Sequence, residues 1–79
     1  MQKHFDECAA EQEFRQKLVA ARKEAGLTQK ELGARSGLDQ RTISRMESSK
    51  TSSPCLRMLV KYLNAIGYRL EVVKATVEY

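Results

Sequence analysis

The sequence predicts a mainly α fold, a bundle of about four helices followed by one C-terminal β-strand. Three observations carry this expectation. Apolar residues recur at helical spacing over most of the chain, Gly26, Gly37 and Gly67 punctuate those stretches, and the period changes to two after Gly67. Seventy-nine residues make one small domain and not two. A chain of this size buries roughly 60% of its unfolded surface, which leaves a thin core and predicts help from a second subunit. At 42% hydrophobic and 30% charged, the composition is that of a globular chain. No apolar run approaches the length of a membrane span or a signal-peptide core, and two cysteines cannot build a disulfide scaffold. A cytoplasmic, reduced protein is expected.

The first helix is expected from about Glu7 to Ala25, a stretch without Gly or Pro. Phe14, Leu18, Ala21 and Ala25 fall on one face, and Gly26 supplies the left-handed residue that ends it. Thr28 and Glu31 form a capping box for a short second helix closed by Gly37. Asp39 is the N-cap of a third, running through Arg41, Ile43, Arg45 and Glu47. Two short helices joined by a tight turn make a helix-turn-helix. Pro54 marks the start of a fourth helix, whose apolar stripe is Leu56, Leu59, Val60, Leu63 and Ile66. Beyond Gly67, Tyr68, Leu70 and Val72 alternate with Arg69 and Glu71, the pattern of a strand. A lone strand leaves its backbone groups unpaired. The expectation is therefore antiparallel pairing with a second copy of the chain, Tyr68, Leu70 and Val72 making the dimerisation contact.

Charge is unevenly spread. Residues 1–13 hold one Lys against four acids, residues 14–61 hold eleven Lys/Arg against four acids and so carry +7, and residues 62–79 balance. A basic middle on a small domain with a pI near 9.3 points to a polyanion such as nucleic acid. The organisation expected is an acidic extension of the first helix over 1–12, a helix-turn-helix domain over 13–67, and a dimerisation strand and tail over 68–79.

Gln29, Gly33, Gly37 and Ile43, followed by Met46 and Glu47, stand at the spacing of a known pattern. The segment resembles the phage-repressor/Cro-type (XRE-type) helix-turn-helix family, whose lambda-repressor-like bundle the resemblance implies for about residues 14–67. Gly33 stands where the family usually has Ala, Ser36 where an aliphatic residue is common, and Cys55 where Ser or Thr often caps the fourth helix; the family's fifth helix is replaced by the strand. The flanks, Glu13 to Gly26 and Ala65 to Val72, are similar to HigA- and HipB-like antitoxins, which repress their own operon and bind a toxin.

A DNA major groove admits one helix, whose N-terminal side chains reach base edges. Gln40 can pair with adenine, and Arg41 and Arg45, one turn apart on a shared face, can each grip guanine. Thr42 and Ser44 offer shorter hydroxyls for a methyl or phosphate. Position in the family implies phosphate contacts for Thr28, Gln29, Ser48 and Lys50, and an ion pair between Arg22 and Glu47 tying the first helix to the end of the third. The expected function is a sequence-specific, autoregulating repressor that binds a palindromic double-stranded operator as a homodimer and serves as antitoxin to a partner toxin. The alternative is a protein-interaction module that reads little DNA. No catalytic residue, cofactor or metal is expected: the one imidazole, His4, with Cys8 and Cys55, falls short of a closed zinc site.

Overall fold

A computed structural model of the chain describes residues 6–48, 50 and 52–74. It contains four helices: α1 (Glu7–Glu24), α2 (Gln29–Ser36), α3 (Gln40–Glu47) and α4 (Leu56–Ala65). His4 and residues 75–79 lie outside the described residues. The helices start and stop where local chemistry dictates. Asp6 caps α1 by accepting the Ala9 N–H at 3.0 Å. Thr28 Oγ1 accepts the Glu31 N–H at 3.1 Å, while the Glu31 carboxylate accepts the Thr28 N–H at 2.9 Å, a complete capping box. One oxygen of Asp39 accepts the N–H groups of Arg41 and Thr42 at 2.7 and 3.1 Å. Gly37, at φ +79°, ends α2 in the left-handed conformation. Ser36 Oγ accepts the Leu38 N–H at 3.2 Å, so the serine standing where an aliphatic residue is common in the family shapes the turn between α2 and α3.

α1 packs on α3, and α2 on both α3 and α4. The core they enclose is Leu18, Leu32, Ile43, Met46, Tyr62 and Leu63, ringed by Leu27, Leu38, Met58, Leu59, Ala65 and Ile66. Both expected stripes are rotated. On α1 the buried line is Arg15, Leu18 and Arg22, while Phe14 and Ala25 are exposed. On α4 Tyr62 is fully buried, and Leu56 and Val60 face outward. The cause is polar: the two guanidiniums and the Tyr62 hydroxyl find acceptors inside, so their apolar stems fill the core.

Residues 68–74 carry no regular secondary structure, so the expected strand is not formed within a single chain. A ladder needs a neighbour to supply its hydrogen bonds, and the described residues offer none. α1 is continuous from Glu7, and Glu11 is bonded into the domain through Arg15 and Ser53.

Gly33 shows why a small residue stands in α2. A Cβ built there would lie 2.7 Å from the Leu38 carbonyl oxygen and 3.5 Å from Ile43 Cδ1. Gly33→Ala gains about 1 kcal/mol of helix propensity, but it forces a backbone atom of the turn to move, an overpacking cost of about 1–3 kcal/mol. The expected outcome is a protein less stable by about 1 kcal/mol, seen as a lower urea midpoint. A more stable variant would show that the turn yields freely.

Candidate nucleic-acid interface

α3 divides cleanly by face. Ile43 and Met46 are buried, while Gln40, Arg41, Ser44 and Arg45 are exposed and Thr42 is half-buried. The residues expected to read bases therefore stand on or beside the outer face, on a helix anchored by its inner one. Thr28 is exposed at the start of α2, and Lys50 is exposed in the loop after α3. Ser48 is the C-cap of α3 and half-buried; its hydroxyl accepts the Lys50 N–H at 3.2 Å. These groups flank α3 along the chain at both ends of the helix-turn-helix.

Beneath them lies a buried polar cluster centred on Glu47. Arg22 forks onto it, Nε to one carboxylate oxygen at 2.7 Å and Nη2 to the other at 3.0 Å. The Tyr62 hydroxyl donates to Glu47 at 2.6 Å and also lies 3.0 Å from the Leu18 carbonyl oxygen. Gln29 Nε2 donates to Glu47 at 3.0 Å, so this side chain is turned inward, and the Gln29 N–H at the start of α2 is the group left for the expected phosphate contact. The side chains of Arg22 and Glu47 are only 10% and 6% exposed. Burial pushes the Glu47 carboxyl up, but the bonds from Arg22, Tyr62 and Gln29 outweigh it and hold the group below the usual carboxylate range. The same contact raises Arg22, and burial followed by Glu47 raises the Tyr62 phenol. One carboxylate thus joins α1, α2 and α4 to the end of α3.

Arg15, Tyr62 and the inward turn of Gln29 went unseen in the sequence. A signal for Arg15 existed: no glycine follows Glu47 to close α3, so its last carbonyls needed donors from elsewhere. Arg15 and Arg22 are also two of the eleven cations in the basic middle, and both face inward. Glu47, the partner of Arg22, is already subtracted in the +7, so only Arg15, paired with Glu11 from the acidic lead-in, weakens the outward field. Lys30 and Arg35 on α2, and Arg57 and Lys61 on α4, remain exposed. Among the described residues no group of His, Cys, Asp and Glu could hold a metal ion, and no helix is long and apolar enough to cross a membrane.

With the fold and the cluster in view, residues 18–73 match the model of the helix-turn-helix family, and the chain belongs to that family, which is not an enzymatic one. A relative from Haemophilus influenzae, called an uncharacterized HTH-type transcriptional regulator, is 36% identical over 61 residues, 77% of this chain and 61% of the relative. The chain thus spans less than two thirds of that protein's length. No solved structure matches.

Proposed function

We propose that the protein is a sequence-specific DNA-binding transcriptional repressor that acts as a dimer on a roughly palindromic operator. The observation that supports this best is the division of α3: its inner face is held by the core and by Glu47, while Gln40, Arg41, Ser44 and Arg45 point outward from a basic surface. Membership of the helix-turn-helix family and the regulator name of the relative agree with it. A gel-shift competition between the chain's own upstream promoter and a scrambled duplex tests the reading. Preference for the promoter is expected; equal binding would leave the alternative, a protein-interaction module.

Dimerisation through residues 68–74 is part of the proposal. In a single chain Val72 is fully exposed, Tyr68 is 46% and Leu70 37% exposed, and Tyr68 and Leu70 line an open groove with Phe14 and Ala21 of α1. Apolar side chains left this open are best covered by a second copy, whose strand would also satisfy the backbone. Two recognition helices about 34 Å apart, one turn of B-DNA, would follow from the two-fold axis. Leu70→Pro, and a chain ending at Gly67, should both be monomers by sedimentation equilibrium and bind DNA weakly. A truncated dimer of unchanged affinity would place the interface elsewhere.

The antitoxin role rests on the resemblance of the flanks and on the exposed acids Asp6, Glu7 and Glu13 at the start of α1, which suit a basic partner. Pull-down of the adjacent gene product tests it. Neutralising those three acids is the suitable variant, because removing residues 1–12 would also delete Glu11, a partner of Arg15.

A further inference from the structure

We infer that Arg15 is a positioning residue for DNA binding: from α1 it fixes the end of the recognition helix and the loop that carries Lys50. The inference rests on the DNA-binding reading above. The Ser48 cap that ends α3 is extended, at φ −95° and ψ 131°, and its own N–H donates to the Arg45 carbonyl at 3.2 Å, so the carbonyls beyond Arg45 lack the bonds a left-handed glycine would provide. The Arg15 guanidinium supplies them instead. Its Nη1 donates to the carbonyls of Arg45 at 2.9 Å, Met46 at 3.3 Å and Ser48, and its Nη2 donates to the carbonyl of Ser52 at 3.1 Å. The cation also lies at the negative end of the α3 dipole.

Ser48 and Ser52 bracket Lys50, so one side chain clamps both ends of the loop. Arg15 itself is 2% exposed and held in place by Glu11, whose carboxylate accepts Nε at 3.1 Å and Nη2 at 2.5 Å. The Ser53 hydroxyl donates to the same Glu11 oxygen at 3.0 Å, closing the loop onto α1 a second time. A planar fork with five donors can serve several carbonyls at once; a lysine ammonium cannot. With Ser48, Ser52 and Ser53 tied to α1, Lys50 between them meets a phosphate at a lower entropy cost on contact.

The test uses Arg15→Met, Arg15→Lys and Glu11→Gln. The last removes only the charge that orients the guanidinium from a partly exposed site, and so keeps a folded protein in the set. Binding to the promoter duplex and to a scrambled duplex is followed over a salt series, and hydrogen exchange is followed in the free protein. For Arg15→Met and Arg15→Lys we expect about tenfold weaker binding to both duplexes and a salt slope lower by about one unit. Glu11→Gln should give a smaller change in the same direction. Amides of residues 48–53 should exchange faster in all three, while those of α4 do not. A role confined to stability would lower the thermal midpoint and leave the slope of the folded protein unchanged. Wild-type binding that persists with the same slope in the variants overturns the role of Arg15. A wild type that binds neither duplex overturns the DNA reading instead, and does so whatever the loop exchange shows.

Discussion

Arg22→Met should destabilise the domain by about 3–5 kcal/mol, because it leaves the Glu47 carboxylate buried without its cation. Small domains hold only about 5–15 kcal/mol in total, so the loss is a large share of the whole and should lower the thermal midpoint markedly. The remaining neighbours, the Tyr62 hydroxyl and the Gln29 amide, donate hydrogen bonds but bring no charge. Adding Glu47→Gln to Arg22→Met should restore part of the loss, since a neutral amide is far cheaper to bury. A double variant no more stable than the single one would show that packing, rather than the stranded charge, sets the cost. The same cluster predicts a response to acid. Glu47 is depressed in the folded state, so as pH falls from the ordinary carboxylate value of about 4.3, the unfolded chain takes up its proton first. Stability is present in full above that value and is lost as pH falls through the lower folded value. Glu11 and Glu31, also lowered, through bonds from Arg15 and from Thr28 respectively, add to the slope in the same direction. Glu47→Gln should shallow the acid limb of a stability–pH curve; an unchanged limb would remove Glu47 from that account.

Arg41→Ala and Arg45→Ala should each cost about 1–3 kcal/mol at the cognate operator and relax base choice at the position read. Lys50→Ala should weaken binding to every sequence alike and flatten the salt slope by about one unit. The contrast separates two kinds of contact. A fork on a guanine edge is lost only where that guanine stands, whereas a phosphate stands everywhere along the duplex. Arg41 lies on the outer face of α3 and is exposed, so its substitution should not lower the thermal midpoint appreciably. Loss of affinity accompanied by unfolding would mean that the side chain serves the fold instead.

The helix boundaries were legible because their determinants are local. Thr28 with Glu31, Gly37 and Asp39 each act within four residues, and their rules hold whatever the tertiary structure. The inner side of the site was less legible. A periodicity of apolar residues counts an arginine as surface, yet Arg15 and Arg22 flank Leu18 on the buried line of α1 and reach acceptors contributed thirty and twenty-five residues away. Tyr62 escaped the α4 stripe for the same reason: its position is set by Glu47 and by the Leu18 carbonyl, neither of which is near it in the chain. The tail after Gly67 has the alternation of a strand, but alternation cannot say where the opposing backbone comes from.

The placement of Glu47 also bears on how such a protein changes over generations. The anchoring of α3 depends on its inward residues, Ile43, Met46 and Glu47, and on main-chain carbonyls at its end. Positions 40, 41 and 44 contribute side chains to none of this. Those three sites can drift through many residue types while the scaffold stays folded, so, on the proposed reading, a lineage carrying this domain would acquire a new DNA address by a handful of codon changes without passing through an unstable intermediate.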